Sequence, residues 1–298
     1  MNSKKSNIQY FIMSLPSIIY FTVFCYLPFA GLVLAFKKYS FATGLFGGEW
    51  VWFDNFKFFF VTDAFTIVRN TLLYGITFII TNLICAVFVA LMLYEVRHRA
   101  LVKVYQTLYL LPNFISWIVV SYIAYTMLSP VHGVLNNLME SLNMTPVQWY
   151  NKPHYWPFII TIFNNWKLVG INCIVYYAAL MSIDSELFEA AKIDGANRFR
   201  QIIHISIPHL TPIMTMLSIL ALGNIFKGDF SLFYSLPRNV GALYETTDII
   251  DTFVYRALRV GNISMGTAVG LMQSVVGLAA VLIANTVIKK ISPENSLF

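Results

Sequence analysis

The chain has 298 residues, 58% of them hydrophobic and 11% charged, with a formal net charge of +6. Soluble domains carry roughly 25% charged residues, so this composition excludes an ordinary soluble globule. The positive balance is spread over short loops, with no basic stripe and interleaved aromatics, which argues for membrane topology and against nucleic acid.

A bilayer core asks for about 20 apolar residues in a helix. Six stretches meet that length, at about 9–36, 71–94, 106–128, 156–181, 209–226 and 268–288. The predicted fold class is an all-α integral membrane protein, with one transmembrane domain over 1–298. The first run follows Lys4 and Lys5, exceeds the roughly 7–15 residues of a signal-peptide core and lacks an A-x-A site, so it reads as an anchor. The loop 37–70 carries Trp50, Trp52 and the cluster FDNFKFFF (53–60), aromatics suited to a membrane interface. EVRHRA (95–100) is a short basic turn, and the prolines of 129–155 predict turns with one short helix. The spacing in DIIDTFVYRALR (248–259) predicts a short helix lying along the outer face.

Polar residues inside spans are costly and face a partner helix or a watery path. The fourth span is the richest in them, with Asn164, Asn165, Lys167, Asn172 and Tyr176. At 100° per residue, Asn165, Asn172 and Tyr176 align, and Asn164 and Lys167 widen that face. Amides and phenols suit sugar hydroxyls, and they equally suit hydrogen bonds between helices. Lys167 falls near mid-membrane, where a cation needs water or a partner. That partner is either a carboxylate on another subunit or an acidic substrate. Asn224 near the end of span five joins the candidate path, with Lys227, Asn113, Ser116 and Trp117 as weaker members.

The stretch 182–212, SIDSELFEAAKIDGANRFRQIIHISIPHLTP, is the one polar connection that reads as built. Asp184 or Ser185 caps a helix, Glu186 adds charge to its first turn, and Leu187, Ala190 and Ala191 give a small apolar face. Gly195 stands where a helix stops on a residue tolerant of positive φ. A second short turn over 197–204 carries Arg198 and Arg200, and Pro208 is expected to end it and open the next span. The result is a helix–glycine–helix outside the bilayer, shaped to dock a protein.

At these residues the chain resembles the permease subunits of binding-protein-dependent ABC importers. EAA (189–191), DGA (194–196) and Ile207–Pro208 match that family's cytoplasmic loop, with Phe199 and Ile202 where the pattern usually has Trp and Phe. WKLVGINCIVYYAAL (166–180), TTDIIDTFVYRAL (246–258) and the stretch 268–290 are similar to carbohydrate importers, in particular those for oligosaccharides and polysaccharide fragments. The resemblance implies a multi-pass protein of a bacterial cell membrane with the loop 182–208 in the cytoplasm. Glu189, Ala190, Ala191, Asp194, Gly195, Ala196, Arg198 and Pro208 would then couple to an ATPase. With that loop in the cytoplasm, six spans put both termini there too. It also implies a second homologous permease, two ATPase subunits that hold ATP and Mg, and an extracytoplasmic solute-binding protein as partners.

Other classes find less support. No G-x-x-x-x-G-K-[ST] loop occurs, so the chain itself offers no such nucleotide cradle and binds no cofactor in this reading. Its five histidines never pair at metal-ligand spacing, its three cysteines form no C-x-x-C, and no G-x-S-x-G elbow is present. No catalytic or metal residue is therefore assigned. A membrane-embedded transferase has only Asp248 and Asp251 to suggest it, and a secondary transporter would want carboxylates that the six predicted spans lack. A permease for a non-sugar solute stays open as the nearer alternative.

Overall fold

The structure is a computed structural model describing residues 3–61 and 64–291. The described residues are helical nearly throughout, and their only β-pairing is a single bridge between Lys37 and Trp50. The chain divides into two compact units, residues 1–64 with 254–272 and residues 65–253 with 273–298.

In the first unit one long helix starts as Ser3–Phe21 and tightens into a 3₁₀ stretch at Leu27–Phe36. Between them lies a π-turn, Thr22–Tyr26, just before Pro28. Proline lacks the N–H and its ring crowds the carbonyl one turn back, and a π-bulge relieves both. Asn55 Nδ2 ties the helix end to the following loop by donating to the carbonyls of Ala35 and Lys37, at 2.9 and 3.0 Å.

The second unit holds the spans that matter for function. Ala64–Glu95 runs well beyond the predicted 71–94, and Trp156–Leu180 matches its prediction within a residue. The sixth span, Ile263–Ile291, whose first turns belong to the first unit, is likewise longer than predicted. The third span departs from the expected 106–128. It is two helices, Arg99–Phe114 and Trp117–Leu128, bent by 97°. Ile115 and Ser116 are extended there, and Ser116 Oγ accepts from Val119 N to cap the second half. Pro112 lies within the last turn of the first half. Five helices are thus long and apolar enough to cross a membrane, or six if the bent pair is one span.

Two apolar clusters build this unit. One gathers Trp117, Val120, Trp156, Ile160, Leu232 and Leu243 with their neighbours. The other gathers Ala86, Ala90, Cys173, Leu180, Phe188 and Leu210, next to the 182–197 connection. The fifth span also corrects an expectation. Pro208 does not end a helix, because Arg198–Leu222 continues through it and stops short of the predicted 226. A π-turn at Ile202–Ser206, one turn before Pro208, absorbs the proline as in the first span. The amphipathic segment of the last long loop forms the helix Ile250–Arg259, as its periodicity indicated.

Candidate functional site: a cavity with amides in its wall and an exposed loop

In the second unit, the second, fourth and fifth spans line an open cavity of about 330 Å³. On the second span Tyr74, Phe78 and Asn82 reach it at four-residue spacing, and on the fourth Asn164, Leu168, Asn172 and Tyr176 do the same. Such rows lie on one helix face. The two spans meet across it: Asn172 Nδ2 donates to Asn82 Oδ1 at 2.5 Å. Asn82 lines the cavity, and its Nδ2 is buried with no partner among the described residues. Gly75 lets the turn after span five come close, since a Cβ there would sit 2.7 Å from both Ile225 Cγ1 and its carbonyl oxygen.

That turn adds charge. Lys227, Gly228 and Asp229 line the cavity after the fifth span ends. Asp251 Oδ2 holds the turn by accepting from Gly228 N at 2.8 Å and from Gln273 Nε2 at 3.1 Å, while Gln273 Nε2 also reaches the Phe226 carbonyl at 2.6 Å. Burial pushes the Asp251 carboxyl above the usual carboxylate range, against the pull of those donors. The TTDIIDT segment is in turn strapped to the second span. Asn70 Nδ2 donates to the carbonyls of Glu245 and Asp248, both at 3.0 Å, and Tyr74 Oη donates to that of Thr246 at 2.8 Å.

The structure therefore separates the predicted path residues. Asn164, Asn172 and Tyr176 line the cavity; Asn165, Lys167 and Asn224 do not. Asn165 Oδ1 is buried without a partner among the described residues, and Asn224 Nδ2 turns back to the Leu220 carbonyl at 3.3 Å. Lys167 is buried against the bent third span, with its ammonium on backbone carbonyls. Tyr74, Asn82 and Asp229 are cavity residues that sequence reasoning passed over. The signal for Asn82 was available, a lone amide inside the apolar run 76–93. Asp229 had none, since it falls outside every span.

The 182–197 connection is built much as its sequence suggests. Asp184 caps the helix Ser185–Ile193, its Oδ1 accepting from Glu186 N at 3.0 Å. At the other end Gly195 has φ +77°. Ala196 N donates to the Ala191 carbonyl at 2.8 Å and Gly195 N to that of Lys192 at 3.1 Å, the paired bonds of a Schellman motif. Phe188 is the buried anchor, its ring 5.9 Å from Tyr94. Arg198 Nε lies 3.7 Å from Glu95 Oε2, tying the loop to the end of the second span. Glu189, Ala190, Asp194 and Gly195 are exposed, with Ala191 and Ala196 partly so. Apolar side chains share that exposure, with Leu187 54%, Ile193 88% and Phe199 70% accessible. These three side chains put apolar surface on the outside of the loop.

Comparison with known proteins identifies the family. Residues 82–293 match the family model described as binding-protein-dependent transport system inner membrane component. The chain is 34% identical to Protein LplB of Bacillus subtilis over 96% of its own length and 90% of that protein. It is also 34% identical to the polygalacturonan/rhamnogalacturonan transport system permease protein YteP of the same organism, over 96% and 89%. Among solved structures it is similar to a chain of a bacterial ABC transporter that imports the acidic polysaccharide alginate. The TM-score is 0.87 at 34% identity, over 97% of both chains. A second match, TM-score 0.86, is to a bacterial alginate ABC transporter in complex with an alginate pentasaccharide-bound periplasmic protein. The chain belongs to the family of binding-protein-dependent transport system inner membrane components.

Proposed function

We propose that this chain is one of two permease subunits of an ATP-driven importer, and that its cargo is an oligosaccharide bearing acid groups. The observation that carries the reading is the cavity with amides in its wall, seen in a chain that matches a chain of an alginate-importing ABC transporter over 97% of its length. Asn82, Asn164, Asn172 and Tyr176 offer neutral hydrogen-bonding groups of the kind that hold sugar hydroxyls and release them. Lys227 supplies a cation at the same wall for a uronate carboxylate. A solute-binding protein would deliver the sugar, and the second permease would complete the path. ATP and Mg would sit on two separate ATPase subunits docked at the exposed face of 185–200. The chain itself would catalyse no reaction; its part is to pass force from Glu189, Ala190, Ala191 and Gly195 to the cavity.

The test is reconstitution of the whole importer, with ATP hydrolysis measured as its binding protein is loaded with oligouronides or with neutral oligosaccharides of equal length. Stimulation by the oligouronides, weakened selectively by Lys227→Gln, is the expected result. Stimulation by neutral sugars alone would overturn the acidic cargo, and stimulation by no glycan would overturn the carbohydrate reading.

A further inference from the structure

A break inside an apolar span leaves the last carbonyls of its first half without their helical partners, and hydrocarbon does not satisfy them. The bend in the third span is such a break. Lys167, one helix away, ends on it. Its Nζ donates to the carbonyl oxygens of Pro112 at 3.2 Å, Asn113 at 2.9 Å and Ile115. An ammonium has three donors and no acceptor, so three carbonyls use it completely. The cation also stands at the negative end of the helix dipole of Arg99–Phe114.

Gly170, one turn further along the fourth span, explains how the ammonium reaches. A Cβ at that position would collide with the backbone carbonyl of Tyr109. Only glycine lets the two backbones cross that closely, and the crossing carries Lys167 to the helix end. The ammonium also lies 5.3 Å from the centroid of Trp117, the first residue beyond the break. Trp117 Nε1 donates to Asp229 Oδ2 at 2.5 Å, and Asp229 is on the cavity wall.

We propose that Lys167 and Gly170 act as one device that fixes the elbow of the third span, making Lys167 a positioning residue for the Asp229 side of the cavity. Its effect on transport is then indifferent to the charge of the cargo, unlike that of Lys227. This rests on the cavity being the sugar path, so one readout involves sugar and the other does not.

In the reconstituted importer, Lys167→Met should lower maximal uptake at least tenfold for acidic and neutral glycans alike, with half-saturation within twofold of wild type. Lys167→Arg, which keeps the donors, should recover to within threefold. Independently, spin labels replacing the exposed Tyr105 and Tyr122 report the elbow angle in the full chain in nanodiscs, with Cys25, Cys85 and Cys173 substituted. One narrow distance is expected in the parent and in Lys167→Arg, and a broad one in Lys167→Met and Gly170→Ala. A narrow distance in Lys167→Met overturns the proposal, whether or not that variant assembles with its partners. A loss confined to acidic glycans also overturns it, because Lys167 would then act on the sugar.

Discussion

Replacing Gly195 grades the coupling loop by backbone conformation alone. Its φ of +77° lies in the left-handed region, and a Cβ added there meets nothing within 4 Å. Steric contact with neighbours therefore contributes nothing, and the cost of substitution is the cost of φ. Left-handed backbone costs an ordinary L-residue about 1 kcal/mol, while a β-branched one pays about 2 kcal/mol; Asn, which visits the region readily, pays little. These energies correspond to a roughly 5-fold and 30-fold lower ratio of intact to broken Schellman cap. Binding-protein-stimulated ATP hydrolysis in proteoliposomes should therefore fall in the order Asn, Ala, Val. Membrane insertion of all three variants should equal wild type, since the position is exposed and carries no packing. Normal stimulated hydrolysis in Gly195→Val, or Gly195→Asn as damaged as Gly195→Val, would refute the reasoning.

Asn82→Leu removes an amide from the cavity lining and the acceptor of Asn172, and should raise half-saturation for sugar about tenfold in proteoliposome uptake; an unchanged value would take Asn82 off the path. Asp251 gives a pH signature. Its folded carboxyl is raised by burial, so its contribution is fully present below the unfolded carboxylate value and is lost as pH rises through the raised one. Thermal stability of the wild-type chain should accordingly decline across that window, and Asp251→Asn should flatten the profile; parallel profiles would contradict this. Tyr150 Oη is buried with no partner among the described residues, and burial pushes it up to about 12, so it stays a neutral orphan hydroxyl. Tyr150→Phe keeps the ring 5.1 Å from Trp156 and should leave the melting temperature equal or higher, whereas a clear drop would reveal a bond to that hydroxyl.

The sequence carried the spans because apolar length is a local property, and it carried the coupling loop because caps and glycine act within a few residues. Asp184, Gly195 and Asn197 all do what their residue types suggest: Asn197 Oδ1 accepts from Arg200 N at 2.9 Å. What stayed hidden depends on pairs of distant residues. The elbow at 115–116 looks like ordinary apolar sequence, and its stabilising cation comes from 52 residues further along the chain. Lys167 was legible as a buried charge in need of a partner, but charge counting sought a carboxylate, and backbone carbonyls answered. Helical phase placed Asn165 with Asn172, whereas a four-residue row through Asn164 meets the cavity, because 100° per residue leaves adjacent positions hard to separate over three turns. The run of proline through the fifth span was missed for a related reason. A π-turn can carry a helix across Pro208, and no local rule signals one.

The most direct test of the account is uptake of a labelled oligouronide into proteoliposomes holding this chain, its partner permease, the ATPase and the binding protein. The account predicts accumulation that requires ATP on the loop side and the binding protein on the other, and that Gly195→Val strongly reduces. Accumulation by this chain alone, driven by an ion gradient and indifferent to ATP, would contradict it.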